Sequence, residues 1–552
     1  MVYEVVRKEV AEAVDRAGYQ MPANIKIDEP PRPEMGDFAT NVAMLIGREY
    51  GIHPTEAAGK IADQLRKFSE IEEVEVAGPG FLNIFLSDDF YLNGLRDVLD
   101  QAEEYGHSLI GKGQKVNVEY ISANPTGPLH VGNARGGPIG EALANLFSFL
   151  GYQVDREFYV NDIGGQVDRF AESLYYWYAV KEDSRVSFPE GGYPGEYIKE
   201  ISEEIQKSKA KELAQLRQME DIVEFFKLEG LARIVSQIRE DSGLLGITFD
   251  NWIYQSEFEI SGESQDVVTK LKDIGATVNK EGALWFKRPD DPDLADRESV
   301  LRKSDETGTL TYFADDIAYH KDKYEREYDL LIDVWGANHH GHVPRLNAAV
   351  SVLGYSPDKL RIVLYQYVRL KRGGEVVKMG KRFGNFVTLR EIIEEGVTAD
   401  AFKYFILTQN PDTPMDFDLQ LAKDTSEKNP VFYIKYAHAR ICSILRKASE
   451  QGQDSLSQPD LTLLAANKEK MLYKELIKFP ELLSNVALDF QIQAIAHYAY
   501  RIAGLFHDFY TECQVLGEDQ KLTAARLALT RSTKYVLANA LKILDIEAPE
   551  KM

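Results

Sequence analysis

Cysteine is nearly absent: the 552 residues contain only Cys442 and Cys513. They share no CxxC spacing, so no disulfide framework and no structural zinc is expected, and a reducing cytoplasmic location fits. Long apolar runs are missing too, which argues against a membrane-spanning helix. The start, Met1-Val2-Tyr3-Glu4, lacks a basic stretch followed by an apolar one, so no secretory signal is predicted. There is no internal repeat and no low-complexity tract. Positive charge is also in deficit. Lys and Arg number 64 against 88 Asp and Glu, a net of −24, which by itself argues against a nucleic-acid partner, because phosphate binding needs basic surface. The deficit is uneven. Residues 428–552 hold 16 Lys and Arg against 14 Asp and Glu, a net of +2, so the rest of the chain carries −26. The C-terminal part is therefore the better RNA face.

What is present suggests several domains. Residues 1–110 read as a small α+β unit, with helical patterning over 3–17 and 54–68 and strand-like pieces at 25–27 and 80–86. The glycine-punctuated stretch 106–114 reads as a linker. Over 111–400 strands alternate with helices, predicting a Rossmann-like parallel sheet. Its strand candidates are 116–121, 153–159, 283–287, 309–314, 329–334 and 361–366, and a charged helical insertion covers about 168–242. Pocket residues should lie at the C-terminal strand ends, where strand order reverses. Residues 401–552 read as an all-helical domain. After Asn429-Pro430, Val431, Ile434, His438, Ile441 and Leu445 fall on one helical face, as do Ile495, Ala499, Ile502, Leu505 and Phe509.

Two segments carry chemistry. Val116-Asn117-Val118-Glu119-Tyr120-Ile121 is followed by a Pro/Gly turn and then by His130-Val131-Gly132-Asn133 at the entrance of a helix. Backbone N–H groups at such an entrance favour phosphate. Far downstream, Lys378-Met379-Gly380-Lys381-Arg382 lies in a glycine-punctuated basic loop that could bring two ammonium groups to a triphosphate. Together they point to activation of a carboxylate by ATP. Gly127 and Gly132 would let the nucleotide approach the backbone, although turn geometry alone would also call for them. Glu119 is a charge inside an otherwise apolar strand, costly there unless paired, and is either a site residue or an edge residue facing water. Tyr312 and Asp316 would share a face on a helical turn, with Asp315 as the competitor. His339, His340 and His342 form a cluster that could suggest a metal. Asn161 and Gln166 are either pocket-lining or capping residues.

Ser122-Ala123-Asn124-Pro125-Thr126-Gly127-Pro128-Leu129-His130-Val131-Gly132-Asn133-Ala134-Arg135 resembles class I aminoacyl-tRNA synthetases, and most closely the arginyl-tRNA synthetase family. So do Gly36-Asp37-Phe38-Ala39-Thr40-Asn41, Tyr159-Val160-Asn161-Asp162-Ile163-Gly164-Gly165-Gln166, Trp335-Gly336-Ala337-Asn338-His339-His340-Gly341-His342 and the stretch from Asn429 to Arg440. The resemblance covers nearly the whole chain. It departs from the family at Asn133, usually His, and at Gly380 and Arg382, which replace two serines. Asn133 can still donate a hydrogen bond but carries no charge.

The resemblance implies a ligase that joins L-arginine to tRNA(Arg) through an adenylate, with ATP and Mg2+ and without structural zinc. His130, Asn133, Lys378 and Lys381 would be catalytic. Gly127, Gly132, His339, His340 and Met379 would complete the ATP site. Glu119 and Asp316 would bind the guanidinium and Tyr312 would flank it, while Asn124 and Gln166 would hold the rest of the amino acid. Residues 1–110 would contact tRNA, and Tyr436, Arg440 and Arg446 would do so from a helical anticodon-binding domain. The resemblance also implies a monomer and no membrane partner. Two alternatives stay open: a small-molecule nucleotidyltransferase with the same sheet, and a non-catalytic RNA-binding relative with decayed signatures.

Overall fold

In the computed structural model of the chain, residues 2–287, 299–305, 308–377, 387–453 and 458–552 are described. The Lys378-Met379-Gly380-Lys381-Arg382 segment lies outside them.

The N-terminal part builds an antiparallel sheet from β1 (Ile27–Asp28), β2 (Phe38–Thr40), β3 (Ile71–Ala77) and β4 (Phe81–Leu86), in the order β1-β2-β4-β3. Helices Val2–Arg16 and Pro54–Leu65 follow the predicted apolar periodicity, burying Val6, Val10, Ala13 and Val14 on the first and Ala58, Ile61, Ala62 and Leu65 on the second. Pro54 at the first helical position and the His53 cap start the second.

The centre is a five-stranded parallel sheet made of β5 (Lys115–Tyr120), β6 (Gln153–Val160), β7 (Asn251–Tyr254), then, after a small antiparallel sheet of β8 (Thr277–Lys280), β9 (Ala283–Phe286) and β10 (Ser299–Arg302), β11 (Leu330–Gly336) and β12 (Leu360–Tyr365). Its order is β12-β11-β5-β6-β7. The chain leaves β5 to one side for β6 and later returns on the other side for β11, so strand order reverses at β5. Three expectations change. The segment 283–287 is a strand but belongs to the small antiparallel sheet. The segment 309–314 is not a strand, because the helix Tyr312–Glu325 begins within it. β7, with no strong alternating pattern, is the fifth parallel strand. The crossover helix Gly136–Phe149 lies close on β5; a Cβ on Gly140 would come 2.2 Å from Tyr120 Cγ, so only glycine allows this approach. The insertion is helical as expected, with Gly165–Glu182, Glu196–Ser208 and Met219–Leu244.

β13 (Val368–Arg372), β14 (Glu375–Val376) and β15 (Met415–Asp418) form a third small sheet, in which β13 and β15 run parallel. A division at residue 400 would cut the helix Ala399–Leu407 and separate β15 from β13. From Pro430 onward, among the described residues, the elements are helical: Pro430–Glu450, Asn467–Leu476, Phe479–Asp489, Gln493–Glu512 and Gln520–Ile543, with a short 3-10 turn between the first two. The N-terminal unit seats on them through Lys474 to Asp37 (2.8 Å), Lys478 to Glu29 (2.7 Å) and Tyr3 N–H to Glu481 (2.8 Å). Asp37 of the Gly36-Asp37 motif also accepts from Leu86 N–H at 2.9 Å. No helix among the described residues is long and apolar enough to cross a membrane.

Candidate active site

The register of β11, β5 and β6 lines up three carboxylates in one row, Asp333 beside Glu119 beside Glu157. All three are buried. Like charges directly opposite on a sheet repel, and a buried charge needs a partner. The helix Tyr312–Glu325 and the residue that caps it supply the partners, with His320, Lys323 and Arg326 recurring every three residues on the face turned to the sheet. Lys323 Nζ donates to Glu119 Oε2 at 2.5 Å and to Asp333 Oδ1 at 2.8 Å. Arg326 makes a two-pronged contact with Glu157 at 2.6 and 2.9 Å, the geometry that suits a guanidinium best. Tyr319 Oη lies 3.0 Å from Glu119 Oε2 and 2.8 Å from Glu157 Oε1. Burial raises the Glu119 carboxyl and Lys323 pulls it back. Burial would also raise Asp333, but Lys323 and His320 hold it below the usual carboxylate range.

One turn nearer the helix start the layer reaches the strand ends. His320 is fully buried, with Nδ1 2.8 Å from the Asp316 carbonyl and 3.3 Å from its carboxylate, and Nε2 2.8 Å from Asp333. Both ring nitrogens face acceptors, so this histidine is an imidazolium. Burial works against that charge, but Asp316 and Asp333 outweigh it and push its pKa up to about 10. Asp316 also accepts from His342 Nε2. Burial would raise Asp316, and the two histidines hold it far below the usual carboxylate range. Tyr312, exposed at the rim, lies 5.7 Å ring to ring from His342. Asp315 turns away and accepts from Gln255 at 2.8 Å. Tyr312 and Asp316 thus both lie beside His342, whereas Asp315 does not. Glu119 is divided: Oε2 takes the internal donors, and no hydrogen bond from a described residue falls on Oε1.

After β5 the chain turns through Ile121 (φ 66°) and Ser122 (φ 35°), a left-handed conformation that non-glycine residues seldom adopt. Tyr159 N–H donates to Ser122 Oγ (3.1 Å) and braces this turn. The turn swings Asn124 to Gln166, whose side chains hydrogen-bond at 2.9 Å. It then leads to the histidine signature. His130 caps the helix Val131–Ala134, its Nδ1 accepting from Asn133 N–H at 3.2 Å. The helix entrance is less open than the sequence suggests, because Val131 N–H donates to the Val387 carbonyl (3.3 Å). The spaces beside Gly127 and Gly132 are likewise filled, by the Tyr197 ring and by the His130 ring. Arg135, fully buried without a carboxylate, donates to the carbonyls of Gln366, Asn410 and Thr413, and burial lowers its pKa to about 10.

The segment that follows the lysine signature is built into this entrance. His130 pairs antiparallel with Thr388, flanked by Val131 N–H to the Val387 carbonyl and Leu389 N–H to the Leu129 carbonyl at 2.8 Å. Thr388 then caps the helix Leu389–Glu394 in a reciprocal capping box. The two signatures, some 250 residues apart, thus meet at their flanks. His339 and His340 are exposed on the turn after β11, and Trp335 lies between His339 and His342 at 5.7 and 5.8 Å. No group of three or more His, Cys, Asp or Glu among the described residues is arranged to hold a metal.

Three family models tile the chain. The arginyl-tRNA synthetase N-terminal domain matches residues 4–86, the class I (R) tRNA synthetase catalytic domain 94–441, and the DALR anticodon binding domain 434–552. The chain belongs to the arginyl-tRNA synthetase family. It is 42% identical to an arginine–tRNA ligase of Caldanaerobacter subterraneus subsp. tengcongensis over 100% of this chain and 98% of that one. It is 41% identical to one of Shouchella clausii, over 99% and 98%. The Thermus thermophilus arginyl-tRNA synthetase structure superposes over the full length of both chains with a TM-score of 0.79 at 23% identity, which speaks to the fold. Like the rest of its family, the chain is a class I ligase that forms aminoacyl-tRNA, and the nucleotidyltransferase alternative falls away.

In the helical domain, Tyr436 is exposed and stacked on His507, with ring centroids 6.0 Å apart and planes at 14°. Arg440 covers the Tyr510 ring at 4.6 Å and donates to its hydroxyl. A surface depression of about 570 Å³ beside them is lined by Arg440, Ser443, Lys447, Tyr510 and Gln514. Arg446 is exposed but does not line it; Lys447, close to two helical turns beyond Arg440, does. His438 is buried and hydrogen-bonded to the Pro549 carbonyl at 2.9 Å, a packing role.

The sequence reading singled out His342 only within the histidine cluster, and missed His320 and Lys323 as members of this site. Their signal was available: Asp316, His320 and Lys323 lie at i, i+4 and i+7, the face of one helix.

Proposed function

We propose that this ligase activates L-arginine with ATP at the C-terminal edge of β5, β6 and β11 and passes it to tRNA(Arg). The observation that carries the reading is the antiparallel pairing of Leu129–Val131 with Val387–Leu389, which brings the flanks of both nucleotide signatures together. In the proposed first step an arginine carboxylate oxygen attacks the α-phosphorus and pyrophosphate leaves. In the second, the terminal ribose hydroxyl attacks the adenylate carbonyl and AMP leaves. No covalent protein nucleophile is required; positioning and charge neutralisation do the work.

His130 and Asn133 serve the phosphates from the helix entrance, with Gly127, Gly132, His339 and His340 around the nucleotide. Lys378 and Lys381, beside Met379, hold the leaving pyrophosphate. Magnesium enters with ATP, held mainly by phosphate and water. Asp316 and Oε1 of Glu119 take the guanidinium with Tyr312 beside it, and Asn124 and Gln166 take the amino and carboxylate end. We assign tRNA contact to the N-terminal unit (1–110) and to Tyr436, Arg440 and Arg446 of the helical part, with the catalytic unit running on past residue 400 to include β15. The enzyme acts as a cytoplasmic monomer.

The test is charging of total tRNA with each labelled amino acid in turn. Arginine alone should become acid-precipitable; charging with none, while tRNA still binds, would favour the decayed relative. A sharper check is Asp316→Asn, which keeps the shape and removes the charge. Losing a charge-assisted contact of this kind should raise KM for arginine about a hundredfold, on the order of 2.7 kcal/mol, and leave KM for ATP within a small factor.

A further inference from the structure

Tyr159 stands near the end of β6, and its ring lies flat on Tyr319, with centroids 4.1 Å apart and planes at 14°. It is 6% exposed. The two stacked tyrosines differ in one respect. The Tyr319 hydroxyl is engaged by Glu119 and Glu157, whereas the Tyr159 hydroxyl is buried with no hydrogen-bond partner among the described residues. A buried hydroxyl without a partner has given up its hydration for nothing in return, so its presence calls for an explanation.

The surroundings indicate one. Burial first, and then the charges of Asp316, Asp315, Glu119 and Asp162, push this hydroxyl well above the usual tyrosine range, so it stays neutral. Much of the carboxylate capacity around it is already engaged. Asp162 accepts from Ser256 N–H at 2.9 Å and Oγ at 2.6 Å, Asp315 from Gln255, and Asp316 from His342. What stays open is Oε1 of Glu119 and the phenolic oxygen itself. An anionic wall with a neutral acceptor set into it suits a cation that has more donors than the wall can take. A guanidinium has five N–H donors in one plane, more than two partly occupied carboxylates can satisfy.

We propose that Tyr159 Oη accepts a hydrogen bond from the substrate's guanidinium and is a specificity-determining contact alongside Asp316 and Glu119. This rests on reading the pocket as the arginine site. The stack on Tyr319 fixes the ring, so the oxygen is held in place before substrate arrives. A site that leaves a buried polar group unpaired when the wrong side chain enters rejects that side chain far more strongly than shape alone would.

The test is Tyr159→Phe, which removes one oxygen and keeps the ring stack. KM for arginine should rise about tenfold, ~1.4 kcal/mol, with most of the effect in KM and little in kcat. KM for ATP and tRNA should stay put. The melting temperature without arginine should not fall, because the oxygen lost has no partner to lose, while the rise in melting temperature produced by a fixed arginine concentration should shrink. A KM for arginine within twofold of wild type overturns the proposal. So does a lowered melting temperature with unmoved KM, which marks the hydroxyl as structural. If the wild-type enzyme fails to charge arginine, both this inference and the reading of the pocket fall; if only the variant behaves like wild type, the pocket stands and this contact alone is wrong.

Discussion

Lys323→Met should unfold at markedly lower denaturant, with a loss of about 3–5 kcal/mol. Lys323 is fully buried, and its ammonium is the counter-ion shared by Glu119 at 2.5 Å and Asp333 at 2.8 Å. Methionine fills the volume and removes the charge, leaving two carboxylates side by side in the sheet row with one cation fewer. Removing one partner of a buried pair costs more than the pair contributes, because an uncompensated charge stays behind. A domain is stable by only about 5–15 kcal/mol, so the loss is large. The cause can be isolated by a cycle. Glu119→Gln in the Lys323→Met background should recover part of the stability, with a coupling of about 1–3 kcal/mol between the two sites, read from urea midpoints. A loss below about 1 kcal/mol for Lys323→Met, or simple additivity of the two changes, would mean that water already reaches this layer and that the row is not held as described.

The same layer gives a pH dependence with a definite sign. His320 is held charged in the fold, its pKa pushed up to about 10 by Asp316 and Asp333 against the cost of burial. A basic group whose pKa is raised on folding contributes stability that is complete below its ordinary value of about 6.5 and disappears as pH rises through the folded value. Stability should therefore fall between about pH 6.5 and pH 10 by more in the wild type than in His320→Asn, when both are compared by urea midpoint across that window. Equal losses would place the alkaline sensitivity elsewhere.

How much of this was legible in the chain depended on the kind of signal. The parallel sheet could be read because β-favouring stretches alternate with helical ones over 111–400, even though its inner strands each carry a charge, and the helical C-terminal region because its periodicity is regular. The Tyr312–Glu325 helix was partly misread as a strand, because Thr309-Leu310-Thr311-Tyr312-Phe313 is rich in residues that favour strands; packing of the helix on the sheet through His320, Lys323 and Tyr319 won over that propensity. That Tyr312 and Asp316 share one helical face was legible from their spacing. The acidic row was not. It depends on the relative register of three strands far apart in sequence, and no local pattern encodes which residue of β11 stands opposite Glu119. The partners of Glu119 were hidden for the same reason. Its isolation in an apolar strand announced that it needed a cation, but that cation, Lys323, is 204 residues away. At Gly127 and Gly132 a Cβ would come 3.1 Å from Tyr197 and from His130, so these rings crowd both positions, a contact no local pattern encodes.

Lys381→Ala should reduce arginine-dependent ATP–pyrophosphate exchange, measured with tRNA present, by a few hundredfold in kcat, while KM for arginine stays within about threefold. The expectation follows from where charge develops. As the carboxylate attacks the α-phosphorus, negative charge builds on the departing pyrophosphate, and a positioned ammonium stabilises that state more than the bound ground state. Such a contact appears in kcat and not in substrate binding. Val387–Leu389, a few residues after it in sequence, are paired with Leu129–Val131 at the histidine signature. The two replaced serines, now Gly380 and Arg382, do not change the charge argument, since Lys378 and Lys381 both remain. Lys381→Arg separates charge from shape: it should recover part of the rate if charge dominates and little if a compact ammonium is needed. An alanine variant with kcat near that of the wild type would remove Lys381 from the reaction and would leave the phosphate charge to Lys378, to His130 and to the metal that accompanies ATP.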